Sequence, residues 1–330
     1  MNSPETAVEI HFSHARTALK YGLAALQFKV GDELLLPAYI CDVVVNPLDE
    51  LGVSPRFYPV TEELKPDWNF LDDLVSGKTR GLLVAHYFGQ PQDMARCLSF
   101  SRKHGLLLIE DNAHGYGGTL DGRLLGTFGD IGISSPRKIM GWRNGGILYW
   151  SRNDRFPELP EQPGRRLWKM KFLAKKILCS DRLSCNFFRD MPDYHSQYLG
   201  REAPIPSWKM DEEYRVWLKL AEMGPTVRRR QAIWHVWEMW ALQHGLRSVF
   251  GELSAGANPL AFVIRTTSAE ESVRWFEWGW KRRLHVHSWP ALPKSVVETD
   301  ETTMMLWKTL VCFSIDPGMK AERLAEKLGV

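Results

Sequence analysis

The sequence predicts an α/β protein, with a large domain built on a mostly parallel sheet between helices and a smaller C-terminal α+β domain. Three observations support this prediction. Over the first 150 residues, short apolar runs alternate with amphipathic helical segments, which is the pattern of a parallel sheet with helices on both faces. Two of the apolar runs end in polar or charged residues, as strands do where open α/β sheets bind ligands. Beyond residue 150 this regular alternation stops.

The elements of the first half follow from the spacing of apolar residues. In segment 14–26, Leu19, Leu23 and Leu26 recur at helical spacing, which predicts an amphipathic helix. Segment 79–88 is a nearly continuous apolar run that glycine and proline close, which predicts a buried strand. In chain order, we expect helices over 14–26, 40–51 and 93–104, and strands over 33–36, 55–58, 79–88, 106–111, around 131–133 and over 145–150.

The middle of the chain is less regular. Residues 153–164 are rich in proline and charge, which predicts a loop. Residues 165–178 form a basic amphipathic segment, which is typical either of attachment to an acidic membrane surface or of a solvated helix face with lysine stems over apolar surface. Residues 181–206 follow as an irregular stretch. We expect 165–206 to be an insert near the site or at a subunit contact.

A long helical segment over 211–245 leads into the small domain and breaks near Gly224 and Pro225. Its second half carries tryptophans at a spacing of three, which indicates core packing rather than a binding platform. These tryptophans are Trp234, Trp237 and Trp240. The break predicts a large domain over residues 1–224 and a small domain over residues 225–330.

The small domain is predicted to contain strands over 259–265, 285–289 and 310–315 and helices over 268–283 and 317–328. Ser268 and Glu271 have the spacing of a capping box at the start of the first of these helices. The order of strand, helix, strand, strand and helix is that of a compact α+β unit. We see no internal repeat.

Composition excludes several classes of protein. The 330 residues are 44% apolar and 25% charged with a net charge of +3, which fits a globular protein and argues against a nucleic-acid partner. The five cysteines are scattered and lack C-x-x-C spacing, so we expect reduced thiols and no metal site. No apolar run approaches the ~18 residues of a membrane span. The first ten residues lack the basic and apolar regions of a signal peptide. We therefore expect a cytoplasmic protein.

Two charged residues at the predicted strand ends point to chemistry. Lys138 follows the apolar patch at 131–133 and lies near glycines, and a poised lysine amine can attach a carbonyl compound. Asp111 ends the strand over 106–111, where a buried carboxylate needs a partner. Considered by itself, Lys138 is more readily interpreted as a solvated lysine, and Asp111 is more readily interpreted as a turn or cap residue. Together they supply what pyridoxal 5'-phosphate (PLP) requires, which is an amine for its aldehyde carbon and an acid for its ring nitrogen.

A phosphate-bearing cofactor also needs an anion site. Residues 14–17 begin the first predicted helix, and helix N-termini bind anions through free backbone N–H groups and the helix dipole. Ser135 lies three residues before Lys138 and can add a hydroxyl. Every helix has an N-terminus, so this signal counts only because it agrees with Asp111 and Lys138.

With these residues in view, the sequence resembles the DegT/DnrJ/StrS family, the sugar aminotransferases of PLP fold type I. The central stretch carries the most specific part of the likeness, and the two ends are looser. The matching segments are H-A-R-T-A-L (14–19), H-Y-F-G-Q-P (86–91), E-D-N-A-H (110–114), the block G-x-x-x-G-T-F-G-D-I (122–131), S-P-R-K (135–138) with two glycines (145–146), the segment 210–220, the arginines at 228–230, and W-P-x-L-P (289–293).

The resemblance implies a fold and a set of roles. The fold would be a seven-stranded, mostly parallel sheet with a small C-terminal domain. Lys138 would hold PLP covalently and then move a proton between substrate and cofactor carbons. Asp111 would pair with the pyridine nitrogen, and His114 would contact the ring or its 3-oxygen. The Ala15 and Arg16 amides, with Ser135, would bind the phosphate.

The resemblance also implies the partners. Glutamate or glutamine would donate the amino group, and a keto sugar, usually attached to a nucleotide, would accept it in polysaccharide or antibiotic sugar biosynthesis. The family is dimeric, so we expect a homodimer with sites at the subunit interface.

This chain departs from the family pattern on the substrate side. Only thirteen residues precede His14, where the family usually has an arm, so we expect an outlying, N-terminally short member. Cys41 occupies the position of the aromatic residue that stacks on the cofactor ring, and Tyr39 is the candidate substitute. Ser207 stands where the family has an asparagine that reaches the partner's phosphate.

Other functions remain open from the sequence. A non-catalytic relative with a binding or scaffold role would fit the short N-terminus and the missing stacking aromatic residue. A PLP-dependent dehydratase or lyase is the rival within the enzymes, although some dehydrating members of the family lack the lysine. A nucleotide-binding dehydrogenase lacks its G-x-G-x-x-G signature here.

Overall fold

The structure is a computed structural model that describes residues 7–159 and 209–330. The predicted basic helix over 165–178, the irregular insert over 181–206 and Ser207 lie outside these residues, so these predictions stay predictions. Twelve strands lie in the described residues. They are β1 (Val8–Phe12), β2 (Glu33–Pro37), β3 (Ser54–Tyr58), β4 (Thr79–Ala85), β5 (Leu107–Asn112), β6 (Thr119–Leu120), β7 (Arg123–Leu124), β8 (Ile131–Ser134), β9 (Gly146–Trp150), β10 (Ala261–Arg265), β11 (Val286–His287) and β12 (Leu310–Ser314).

Eleven α-helices lie in the same residues. They are α1 (Ala15–Ala25), α2 (Asn46–Leu51), α3 (Trp68–Leu74), α4 (Met94–His104), α5 (Pro136–Met140), α6 (Glu212–Leu220), α7 (Met223–Gln243), α8 (Ala269–Lys281), α9 (Lys294–Thr299), α10 (Glu301–Thr309) and α11 (Ala321–Leu328).

Seven strands form one sheet in the order β1-β9-β8-β5-β4-β2-β3. Strands β8, β5, β4, β2 and β3 run parallel, and β9 runs antiparallel between β1 and β8. The predicted mostly parallel, seven-stranded sheet is therefore confirmed. Parallel strands place their carboxyl ends at one edge of the sheet, which brings the ends of β4, β5 and β8 together.

Both faces of this sheet are covered, which explains why its strands read as continuous apolar runs. On one face, α1 packs Leu19 and Leu23 against the strands. On the other face, α3 and α4 contribute Leu71 and Phe100 to a second core. Successive residues of a strand alternate between these two cores, and this alternation decides which side chains of β5 face the site.

The C-terminal residues form a three-stranded sheet in the order β10-β12-β11. Its core contains the predicted tryptophan stripe, which is buried against Phe276 and Phe313. The interpretation of Trp234, Trp237 and Trp240 as core residues is confirmed, since each is at most 2% exposed. The division of the chain into domains at residue 224 remains a prediction.

Several predicted boundaries were wrong. The helix expected over 40–51 is a one-turn 3₁₀ helix, Asp42–Val44, followed by α2, because the chain is extended at Cys41 and proline favours the first helical turn. The break expected at Gly224 and Pro225 lies at residues 221–222, since both residues sit in the first turn of α7, where a missing N–H costs little. The strand expected to reach Phe88 ends at Ala85.

Other elements were missed or shortened. The strand expected over 285–289 is only β11, and the last helix begins at Ala321 rather than at residue 317. Strand β1 and helices α3, α9 and α10 were not predicted. The capping box at α8 is half formed, since Ser268 accepts from the Glu271 N–H while the Glu271 carboxylate accepts from the Thr267 N–H.

Candidate active site

A cavity opens where the carboxyl ends of β4, β5 and β8 meet the N-terminus of α1. Its empty volume, which includes the open solvent at its mouth, is about 680 Å³. The described residues that line it are His14, Ala15, Arg16, Leu19, Ile40, Cys41, Val43, Val44, Ala85, His86, Tyr87, Asp111, Ala113, His114, Ile133, Ser135, Arg137, Lys138 and Trp289.

The strand period separates the two adjacent acids of β5. Glu110 points to the α3 and α4 face and is fully buried. It accepts hydrogen bonds from His86 Nε2 at 3.0 Å and from backbone N–H groups of the glycine-rich segment. These backbone donors are Gly126 at 3.0 Å, Phe128 at 2.5 Å and Gly129 at 2.6 Å. Glu110 therefore anchors the segment that leads into β8.

Asp111 points to the α1 face and lines the cavity. Its Oδ1 accepts one hydrogen bond, from the Ala113 N–H at 2.9 Å. Burial raises the pKa of this carboxyl, while the Ala113 N–H and the positive charge of Lys138 oppose the rise. The carboxylate is thus fixed in direction by one bond, and its remaining acceptor capacity faces the cavity.

Lys138 lies in α5, which begins directly after β8 through the extended residue Ser135. The Lys138 N–H donates to the Ser135 carbonyl at 3.0 Å. Its Nζ lies 5.9 Å from the centroid of the Trp289 ring. Burial lowers the pKa of the Lys138 amine, so a larger fraction of it is neutral and nucleophilic than in an exposed lysine.

His114 is held as a neutral ring. Its Nδ1 accepts the Phe88 N–H at 3.2 Å, which leaves the ring proton on Nε2. Burial, helped by the Lys138 charge, lowers the pKa of His114 well below its ordinary value. The ring packs edge-on against Trp289, with centroids 4.3 Å apart.

Phe88 supplies its N–H from an unusual backbone conformation. Its φ of 53° lies in the left-handed region, which is uncommon for a bulky residue. This conformation lets the Phe88 carbonyl accept the Leu260 N–H at 2.8 Å while the N–H bonds His114. A strained residue that a dense hydrogen-bond pattern holds in place is typical of functional sites.

The N-terminus of α1 borders the same cavity. His14 is its N-cap residue in extended conformation, and the His14 side chain makes no capping hydrogen bond. Gly146 at the start of β9 lies against this turn, and a Cβ there would come within 2.2 Å of the His14 carbonyl carbon. The close approach of β9 thus fixes the position of the first N–H groups of α1.

Basic groups gather beside this helix N-terminus. The pKa of His14 is lowered to about 4, first by burial and then by the charges of Arg137 and Arg16. Burial and the Arg137 charge also lower the pKa of Arg16. The positive charges of Arg16 and Arg137 beside a helix N-terminus favour an anionic ligand.

The structure brings most of the predicted site residues into this cavity. Those that line it are Lys138, Asp111, His114, Ala15, Arg16 and Ser135. Tyr39 does not line it, although it was the candidate for ring stacking. Its side chain is fully buried and its hydroxyl donates to the Trp289 carbonyl, so it supports the wall of the cavity from behind.

Sequence reasoning missed a role for two lining residues. Trp289 was noticed only as part of a C-terminal motif, and nothing in its local sequence shows that it reaches His114 and Lys138. Arg137 was seen as a neighbour of Lys138, and its position beside a lysine at a strand end is the signal that could have identified it. Cys41 lines the cavity at the position where the resemblance implies an aromatic residue.

The described residues hold no cluster of three or more potential metal ligands. No helix within residues 7–159 and 209–330 is both long and apolar enough to cross a membrane.

Comparison with known proteins finds one family model that matches the N-terminal part of the chain. Residues 5–157 match the model of the DegT/DnrJ/EryC1/StrS aminotransferase family. The match confirms the resemblance that the motifs predicted, over the segment that contains Asp111 and Lys138.

Two curated relatives show the range of activities in this neighbourhood. A UDP-N-acetyl-3-dehydro-alpha-D-glucosamine 3-aminotransferase from Acidithiobacillus ferrooxidans is 31% identical over 127 residues, which cover 38% of this chain and 34% of the relative. A dTDP-4-dehydro-2,6-dideoxy-D-glucose 3-dehydratase from Saccharopolyspora spinosa is 35% identical over 118 residues, which cover 35% and 25%. The chain thus matches about a third or less of the length of these two relatives.

Solved structures show that the likeness of fold extends over nearly the whole chain. The PLP form of the putative sugar aminotransferase Spr1654 from Streptococcus pneumoniae superposes with a TM-score of 0.71 at 14% identity. It covers 99% of this chain and 85% of that one. The predicted fold class is confirmed.

Proposed function

We propose that this chain, whose residues 5–157 belong to the DegT/DnrJ/EryC1/StrS aminotransferase family, is a PLP-dependent aminotransferase. It moves an amino group from an amino acid, glutamate or glutamine, to a keto sugar attached to a nucleotide. We further propose that it works as a homodimer in the cytoplasm. The 3-aminotransferase relative, named for a UDP-linked dehydro sugar, supports the choice of acceptor.

One observation carries the proposal. A single cavity joins a lysine with a lowered pKa, a carboxylate that accepts one hydrogen bond, and a helix N-terminus beside two arginines. These are the three groups that PLP needs, for its aldehyde carbon, its ring nitrogen and its phosphate. The residues present therefore fit the cofactor.

Lys138 would hold the cofactor through Nζ. When bound, PLP supplies an electron sink for the carbon that gains or loses the amino group. Because burial lowers the pKa of Lys138, its released amine can accept a proton from the substrate carbon and return it one atom away. Trp289, 5.9 Å from Nζ, limits where this amine can swing.

Asp111 and His114 would orient the ring. The Ala113 N–H fixes one oxygen of Asp111. The other oxygen can then accept a hydrogen bond from a protonated ring nitrogen. His114 is neutral and presents its Nε2–H because Phe88 occupies Nδ1. It can therefore donate a hydrogen bond without adding positive charge. Ser135 and the first N–H groups of α1 would bind the phosphate.

A spectral titration tests this proposal. We expect purified protein to take up PLP and show the visible absorbance of a lysine-bound cofactor. Glutamate should remove this absorbance, and a nucleotide keto sugar should then restore it. The Lys138→Ala variant should show neither change and should lose at least four orders of magnitude in activity.

The matched control is Lys78→Ala, which removes an exposed lysine outside the cavity and should behave as wild type. Colourless protein that fails to bind PLP would refute the proposal. A cofactor spectrum that responds to no amino acid would instead favour the non-catalytic binding role.

A dehydratase is the second candidate, because one relative carries that activity in its name. Lys138 argues against it to the extent that dehydrating members of the family lack the lysine. Product analysis separates the two reactions. An aminotransferase leaves nitrogen on the sugar, whereas a dehydratase removes oxygen from the sugar and adds no nitrogen.

A further inference from the structure

Arg137 is a half-buried arginine that lines the cavity and has no side-chain partner among the described residues. It immediately precedes Lys138 in α5 and lines the same space. Among residues 7–159 and 209–330, no hydrogen bond or ion pair engages its guanidinium. Partial burial of a charge costs free energy unless the charge is paired. The position therefore indicates an anionic ligand that residues 7–159 and 209–330 do not supply.

The surroundings of Arg137 indicate where that anion lies. Gly145 packs against the Arg137 backbone, and the adjacent Gly146 packs against the turn from His14 to Ala15 that begins α1. Burial first, and the Arg137 charge second, lower the pKa of His14 and of Arg16. The Nδ1 atom of His14 is also buried without a hydrogen-bond partner. These three basic residues line the cavity together with Ala15, which lies in the first turn of α1. The electrostatic demand for an anion is thus concentrated at this helix N-terminus.

We propose that the Arg137 guanidinium binds the phosphate group of the cofactor. The inference rests on the proposed function, since it takes PLP as the ligand. A phosphate monoester carries close to two negative charges and offers several acceptor oxygens, which suits a guanidinium in addition to helix N–H groups. A substrate carboxylate carries one charge on two oxygens, whereas the three outer oxygens of a phosphate can accept from the Arg137 guanidinium and from helix N–H groups at the same time.

The test compares two ligands that differ only in the phosphate, PLP and pyridoxal. Their dissociation constants are measured by absorbance titration of the apoprotein for wild type, Arg137→Met, Arg137→Lys and Arg143→Met. We expect Arg137→Met to bind PLP about 10- to 100-fold more weakly, as for loss of a charge-assisted hydrogen bond, and to bind pyridoxal within about twofold of wild type. Arg137→Lys, which keeps the charge but loses the planar fork, should fall between them.

Arg143→Met is the matched control. Arg143 is exposed, lies six residues further along the same segment and is not among the residues that line the cavity. Its variant removes the same charge and should keep wild-type affinity for both ligands. Inorganic phosphate gives an independent reading. It should raise the melting temperature of the wild-type and Arg143→Met apoproteins more than that of Arg137→Met.

Several outcomes would overturn the inference. PLP affinity that is unchanged in Arg137→Met would show that the guanidinium does not touch the phosphate. An equal loss for PLP and pyridoxal would show that Arg137 acts through Lys138 or through the fold. Loss of glutamate affinity with normal PLP affinity would assign the residue to the amino donor. If wild type binds neither PLP nor pyridoxal, the proposed function fails, and the inorganic phosphate comparison still decides whether Arg137 binds an anion.

Discussion

The two faces of the sheet at the end of β5 both contain buried charge, and they satisfy it differently. On the α3 and α4 face, Glu110 accepts from His86 and from three backbone N–H groups. On the α1 face, Asp111 accepts one N–H. Lys138 and Arg137 form no ion pair with any residue that the structure describes.

This difference separates charged groups that stabilise the fold from charged groups that are available to a ligand. The bonds of Glu110 are complete without a ligand, so its carboxylate can only hold the glycine-rich segment in place. The charges on the α1 face are incomplete, so they are available to a ligand. Three predictions test whether this division is real.

The largest effect should come from Asp111→Asn. The amide can still accept the Ala113 N–H, but it cannot hold a proton on a ring nitrogen by charge, so turnover should fall about 10³-fold. The free energy of unfolding of the apoprotein should change by less than about 1 kcal/mol. The cost of burying the Asp111 charge already offsets most of what its one hydrogen bond contributes, so loss of that charge costs little stability. Steady-state kinetics and urea unfolding measure the two quantities. A variant that loses stability rather than turnover would contradict the division.

Glu110→Gln should do the reverse. The amide NH₂ group of glutamine would face N–H donors that now bond a carboxylate oxygen. The free energy of unfolding, measured in urea, should therefore fall by about 2–4 kcal/mol. Turnover per folded molecule should stay within several-fold of wild type. Equal losses of turnover in Glu110→Gln and Asp111→Asn would mean that both acids serve the reaction.

The smallest effect concerns pH. The pKa of His14 is about 4 in the folded protein against an ordinary value of 6.5, so between these values the unfolded chain binds more protons. The free energy of unfolding should therefore fall as pH drops from about 6.5 toward 4, by about 1 kcal/mol after allowance for partial exposure.

His14→Gln removes this contribution. The difference between wild type and variant, measured by urea unfolding from pH 7 to pH 5, isolates it, because buried His287, whose pKa is also about 4, is present in both. A difference that does not depend on pH would show that the pKa of His14 is not lowered in the folded protein.

Much of this arrangement could be predicted from local sequence. The alternation of apolar runs and amphipathic segments predicted β2 to β5, α1 and α4 in their correct order. A continuous apolar run reflects a strand buried on both faces, and an amphipathic segment reflects a helix buried on one face. The positions of Asp111 near the end of β5 and of Lys138 shortly after β8 predicted that they share one sheet edge, and the structure places both in one cavity.

The remainder depends on contacts between distant segments. Trp289 reaches the cavity from the C-terminal half, where the Tyr39 hydroxyl donates to its carbonyl, and no local pattern reports such a contact. The adjacent Glu110 and Asp111 predict two acids that point to opposite faces of the sheet. They do not predict which acid faces α1, because that depends on which helix covers which face. Short elements such as β1 and α3 were missed because five to seven residues give little periodicity.

The alternation along β5 also sets a limit on how the gene can change. Glu110 pairs with Gly132 and Asp111 with Ile133 across the β5–β8 ladder. A strand that slips by one residue exchanges its two faces. Deletion of one codon within β5 upstream of Glu110 would therefore turn the acid that anchors the glycine segment toward the cavity and Asp111 away from it. The chain should accept many substitutions in this strand more readily than a change of one residue in its length.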